Sequence, residues 1–155
     1  MLQRIQTIYL LLTVILTSLM FFLPIAGLQN VQEGIIYELN YKGLFELNAS
    51  GSTFVANVWM LTALMVMIPL LALITIFLFK KRFLQIRLIV FNIVLMAGYY
   101  GMLFIYLWQY GKSLSAKLFV EIPSAFPLVC IILNILAIRA IGRDEALIRS
   151  LNRLR

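Results

Sequence analysis

Few residues in this chain are of a type that performs chemistry. The 155 residues contain no His, the commonest general base and metal ligand, and only one Cys and six Asp or Glu. Cys130 lies in the middle of an apolar run with no His to activate it, so it reads as a small packing residue, and alone it forms no internal disulfide. Asp144 and Glu145 are adjacent, and adjacent residues on a helix do not face one site. Glu33, Glu38 and Glu46 lie along one loop without the dense oxygen spacing of a calcium loop, so they read as solvated charge. No glycine-rich phosphate loop, paired intramembrane carboxylates or metal-ligand spacing occurs. The sequence therefore predicts no catalytic, cofactor-binding or metal-binding residue, and a protein that is not an enzyme.

What must position these side chains is a set of four apolar stretches. Residues Ile5–Ile25, Phe54–Phe79, Leu88–Tyr110 and Ile122–Ile141 each have the roughly 20 residues a helix needs to cross a hydrocarbon core about 30 Å thick. Only Arg139, near the end of the fourth, brings a charge into them. The composition agrees, at 63% hydrophobic and 12% charged residues with a mean hydropathy of +1.01. The expected fold is an all-α integral membrane protein, an up-down four-helix transmembrane bundle forming one domain over 1–155. The first stretch exceeds the 7 to 15 residues of a signal-peptide core, and an uncleaved first helix is expected.

Charge sets the expected orientation. Arg4, the cluster Lys80, Lys81, Arg82 and Arg87, and the closing Arg139, Arg143, Arg149, Arg153 and Arg155 make ten of the thirteen Lys and Arg, all at one end of the proposed helices. The positive-inside rule puts that end, with both termini, in the cytoplasm. Positive charge so placed is what insertion requires, so the net charge of +7 is no argument for a nucleic-acid partner. Trp59, Trp108, Tyr106, Tyr110 and Phe119 fall at the opposite interface, as an aromatic belt does.

Within the spans, Tyr9, Thr75, Asn92 and Asn134 each lie five residues from a flanking charge, about 7.5 Å into the membrane at 1.5 Å per residue. They predict a polar layer inside the bundle with Asn92 and Asn134 as its pair; the alternative is that each is satisfied within its own helix. Ala97 and Gly101 form a small-xxx-small pair that would admit a neighbouring helix. Pro69 should kink the second span, and Pro123 and Pro127 put the start of the fourth helix between them.

Outside the spans, residues 28–53 form the largest loop. Tyr37, Leu39 and Tyr41 alternate with Glu38 and Asn40 ahead of Lys42-Gly43, which predicts a β-hairpin that rests on the helix ends or pairs with a partner's sheet edge. Asn48-Ala49-Ser50 matches the glycosylation triplet by chance. After Ile141, Leu147, Ile148, Leu151 and Leu154 share one helical face against Arg143, Arg149 and Arg153, so 142–155 reads as a basic amphipathic tail on anionic inner-leaflet lipid.

The opening Met1-Leu-Gln-Arg-Ile-Gln-Thr-Ile-Tyr-Leu-Leu-Leu12, the connection Phe79-Lys-Lys-Arg-Phe-Leu-Gln-Ile-Arg-Leu88 and the ending Arg139-Ala-Ile-Gly-Arg-Asp-Glu-Ala-Leu-Ile-Arg-Ser-Leu-Asn-Arg-Leu-Arg155 resemble a family of small four-span inner-membrane proteins of Bacteroidota, catalogued only as a domain of unknown function. The resemblance runs end to end and implies location and fold, with no activity or site residue to carry over. The topology is also similar to the claudin-like arrangement, without the paired cysteines or tryptophan motif of claudins. Two functional expectations follow. One is a non-catalytic accessory or scaffold subunit of a membrane assembly, with a protein partner or a second copy as contact. The other is a carrier or channel for a small or lipidic substrate, which requires an open polar cavity continuous with one side.

Overall fold

The computed structural model describes residues 3–30, 34–48, 51–79 and 81–153. Helix α1 (Gln3–Leu19) leads into four strands, β1 (Ala26–Gln29), β2 (Ile36–Asn40), β3 (Gly43–Asn48) and β4 (Gly51–Ala56). Helices α2 (Trp59–Phe77) and α3 (Arg82–Ser113) follow, then β5 (Lys117–Val120), a 3-10 turn at Ile122–Ala125 and α4 (Phe126–Arg153). Helix α1 packs between α2 and α4, and α3 closes the set against the same two neighbours. Trp59–Phe77, Arg82–Ser113 and Ile122–Asp144 are long and apolar enough to cross a membrane, and α1 adds a shorter apolar helix at Ile5–Leu19. The chain is a membrane protein.

The all-α expectation needs correction. The hairpin β2–β3 forms as the alternation predicts, but it is the centre of a five-stranded antiparallel sheet of order β4-β3-β2-β1-β5. Strand β1 begins just past the end of the first expected span. Helix α1 ends at Leu19 in a tight turn, with the Phe21 and Phe22 amides on the Ser18 and Leu19 carbonyls at 3.2 and 3.1 Å; Pro24 keeps Leu23 out of the helical conformation, and the chain gains sheet pairing, beginning with the Ile25 amide on the Leu39 carbonyl at 2.8 Å. Residues 54–56, expected in the second span, belong to β4, so α2 opens at Trp59. The expected tail at 142–155 is not a separate helix, since α4 runs unbroken through Gly142 to Arg153; its side chains beyond Asp144, with residues 154 and 155, lie outside the described residues. The start of α4 between Pro123 and Pro127 is as the prolines predict, and α2 is helical on both sides of Pro69.

Cross-strand register gives the sheet two unlike faces. Ala26, Leu39 and Leu44 form one row across β1, β2 and β3, with Leu28 and Tyr37 beside them; all are buried against the helix ends with Met20, Val58 and Leu61. On the opposite face run Phe119, Gly27, Glu38, Phe45 and Phe54, then Lys117, Gln29, Ile36, Leu47 and Ser52. There Phe54 is 58% and Phe119 49% exposed. The turn residues Tyr41 and Lys42 keep negative φ, and Gly43 takes up the hairpin twist at φ +152°. A β-carbon at Gly43 would lie 2.6 Å from the Ala56 carbonyl oxygen, so no other residue fits without moving β4.

Candidate functional site

The buried side of each helix repeats at alternating steps of three and four. On α2 it is Leu61, Met65, Ile68, Ala72 and Thr75; on α3 it is Gln85, Ile89, Asn92, Met96, Tyr99 and Leu103. On α1 the series is Gln6, Leu10, Thr13 and Thr17, continued by Met20 just beyond its end, and on α4 it is Pro127, Cys130, Asn134, Ala137, Ile141 and Asp144. A 3.5-residue repeat is the seam of a left-handed helix bundle, which keeps one face on its partners over many turns. All four seams carry polar groups, and a polar interior is the feature of the helices with most chemical capacity.

The expected polar layer is present as burial and absent as a pair. Thr75, Asn92 and Asn134 are all buried. Thr75 donates to the Leu71 carbonyl of its own helix at 2.7 Å, and the Asn134 amide faces the Met96 sulfur at 3.7 Å, so Asn134 meets α3 one helical turn away from Asn92. The Asn92 amide atoms, the Tyr99 hydroxyl and the Asn134 carbonyl have no hydrogen-bond partner among the described residues. Tyr9 is only half-buried, beside the end cluster of Leu10, Ile89, Ala137 and Ile141.

Three links between helices were not anticipated. Gln6 donates to the Asp144 carboxylate at 2.9 Å, joining α1 to the far end of α4 across 138 residues of chain, and each residue is only 6% exposed. Gln85 donates to the Thr75 carbonyl at 3.3 Å, joining α2 to α3. The Tyr100 hydroxyl donates to the Ser124 carbonyl at 2.7 Å and accepts the Leu128 amide at 2.9 Å, which satisfies a free donor in the first turn of α4. The signal for Gln6 and Gln85 was their place in the three-four repeat. Cys130 is buried in the seam as a packing residue, its sulfur 3.9 Å from the Thr13 carbonyl.

Around these groups the helices are close-packed. The cavity bounded by Thr17, Met65, Ile68, Tyr99 and Pro127 holds about 10 Å³. At the end of the bundle bearing Asp144 a groove of about 220 Å³ lies between α1 and α4, with Tyr9, Arg139 and Arg143 on its walls. At the sheet end, Trp59 and Trp108 are exposed, Tyr106 stacks on Tyr110, and Lys112 lies 4.5 Å above the Trp108 ring. Phe119, expected in that belt, belongs to the sheet. Ala97 and Gly101 face away from the neighbouring helices, and a β-carbon on Gly101 would touch nothing within 4 Å.

The acidic residues of the loop do not converge. Glu38 shares a sheet face with Phe45, Glu46 lies opposite Tyr37 on the other face, and Glu33 is outside the described residues. Among the described residues no three His, Cys, Asp or Glu side chains come together as a metal site would require. No curated protein matches the sequence. Residues 2–154, nearly the whole chain, match one family model, and the protein belongs to the family described as Domain of unknown function (DUF4293).

Proposed function

We propose that this is a non-catalytic four-span protein of a bacterial inner membrane that serves as an accessory or scaffold subunit of a membrane assembly. In this reading α1 completes its crossing with the apolar turn Phe21–Ile25, and both termini are cytoplasmic. The sheet then caps the outer end of the bundle. The observation that supports the reading is the packing of the helix interior: its polar side chains are buried, and the cavity between Thr17 and Tyr99 holds about 10 Å³, the lower limit for a single water. A carrier would need a path continuous with one side.

Contact surface is offered instead by the sheet. Strand β4, Gly51-Ser-Thr-Phe-Val-Ala56, is an exposed edge without a charge or a proline, the two devices that usually blunt such edges. The other edge is guarded by Lys117 and by Glu121 and Pro123 just beyond it. An unguarded edge beside exposed Phe54 fits a partner that adds a strand. At the cytoplasmic end, Arg139 and Arg143 on the α1–α4 groove suit anionic lipid headgroups.

The test is purification of the tagged protein from its own membrane in mild detergent, with mass spectrometry and native sizing of what accompanies it. A stoichiometric partner is expected, and Thr53→Lys, which charges the open edge, should release it while leaving the chain folded. Recovery of the protein alone, at full yield and as a stable homo-oligomer, would overturn the proposal.

A further inference from the structure

Two depressions meet at the tip of the β2–β3 hairpin. The lower one, about 630 Å³, is walled by Trp59, Ala63, Val66 and Met67 of α2, and it shares Tyr41 and Lys42 with the upper. The upper one, about 440 Å³, lies on the sheet face that carries Glu38, Asn40 and Phe45. Tyr41 is the ridge between them. Its ring sits edge-on to Phe21 at 5.6 Å, and its carbonyl accepts a hydrogen bond from the Thr62 hydroxyl, which pins the hairpin tip to the first turn of α2. Lys42 stands exposed on this ridge, its ammonium 5.5 Å from the Tyr41 ring centroid.

The two halves differ in chemistry. The lower wall is apolar and outward-facing, with Val66 46% and Met67 44% exposed. From Trp59 to Met67 it descends about 12 Å along the helix, most of the roughly 15 Å of one leaflet's hydrocarbon. The upper half holds one cation, Lys42, and one anion, Glu38, with the Asn40 amide between them in sequence. An occupant that matches the whole must carry a long apolar chain, then an anion level with Lys42, then a cation reaching Glu38. Neither a soluble anion nor an anionic lipid supplies the last group.

We infer that the groove over Tyr41 is a binding site for a zwitterionic phospholipid of the phosphoethanolamine class, taken from the leaflet on the sheet side. Its acyl chain lies along Val66 and Met67, its phosphate pairs with Lys42, and its ammonium reaches Glu38. The pinned hairpin tip makes the site preformed, as small-molecule sites are. Occupancy adds a lipid wedge between sheet and helix, so the bound molecule also braces the cap against α2.

Native mass spectrometry of the full chain in mild detergent tests this, with phosphatidylethanolamine or phosphatidylglycerol of identical chains added back after delipidation. Phosphatidylethanolamine should be retained about fivefold better, the contribution of one partly exposed ion pair. Lys42→Gln should lower retention of both lipids about fivefold, with recovery in Lys42→Arg. Glu38→Gln should instead abolish the preference while keeping phosphatidylglycerol bound, a pattern that misfolding does not produce. Lys112→Gln, a cation at the same end of the bundle but outside the groove, should change nothing, and the preference should persist in Arg143→Gln, which removes an anionic-lipid contact at the other end. Equal retention of the two lipids by the native chain, unchanged retention in Lys42→Gln, or displacement of the lipid by soluble glycerophosphoethanolamine would each overturn the inference.

Discussion

The link between Gln6 and Asp144 makes the sharpest claim on stability, because it ties the first turns of α1 to α4 by one buried, charge-assisted contact. A hydrogen bond to a charged group contributes about 1.5–3 kcal/mol, and removing one partner leaves the other buried without compensation. Gln6→Leu should therefore cost about 2 kcal/mol, since it strands a carboxylate that is only 6% exposed. Asp144→Leu strands the Gln6 amide, a neutral group, and should cost about 1 kcal/mol. With both partners replaced, neither group is left unpaired and the cost should fall to within about 0.5 kcal/mol of the native chain.

The prediction is thus a coupling of about 2–3 kcal/mol, favourable to the double variant, in a double-mutant cycle. At the usual 2–4 °C per kcal/mol for a chain of this size, Gln6→Leu should melt about 4–8 °C below the native protein. The double variant should melt within about 2 °C of it. The assay is thermal unfolding in one detergent, followed by the fluorescence of Trp59 and Trp108, both of which report on the sheet end far from the substitutions. Additive losses, with the double variant the least stable of the three, would refute the reasoning and reduce the contact to a surface pair.

Two further outcomes follow from the geometry. Gly43→Ala should lose about 3 kcal/mol from positive-φ strain and the clash with the Ala56 carbonyl, whereas Gly51→Ala, at φ +134° but in open space, should lose only about 1 kcal/mol by the same melt. Tyr100→Phe should cost about 1–2 kcal/mol and accelerate hydrogen exchange at the Leu128 amide, which loses its acceptor; unchanged exchange there would remove the capping role.

The parts of this fold that the sequence made legible are those governed by length and charge. Uncharged runs of about 20 residues announced membrane helices, and three helices of that length and apolarity occur among the described residues. Alternation around Lys42 announced the central hairpin, because Glu38 and Asn40 interrupt Tyr37 and Leu39 in a polar loop. Strands β1 and β5 have four residues each, and β1 continues an apolar run with no polar alternation of its own, so neither had a period to read. Strand β4 was masked in the same way, since Phe54, Val55 and Ala56 continue without a break toward Trp59.

The seam was half legible for a different reason. A soluble helix marks its buried side by hydrophobicity, but α2 carries apolar residues on every side, and lipid gives leucine no cause to turn inward. What turns inward in lipid is the side chain that needs a partner. Asn92 and Asn134 were recognised by depth from the flanking charges; Gln6, Thr13, Thr17, Gln85 and Asp144 obey the same rule through the three-four spacing, which depth alone does not reveal. Polarity is the better period to follow in such a chain.

The sheet extends the same logic to the backbone. Strand edges left open in hydrocarbon would bare peptide groups that nothing satisfies, so the proposed four-span reading puts a sheet with exposed edges at β4 and β5 above the acyl region, with the exposed Trp59 and Trp108 at the interface beneath it. There the sheet meets water, and water opposes the exposure of Ile36, Leu47, Phe54 and Phe119 on one face. The helices turn their polar groups toward each other, and Gln6 and Gln85 find partners there. The sheet's inner face is already buried on the helix ends, so its exposed outer face and its uncharged β4 edge are the surfaces that the proposed partner would cover.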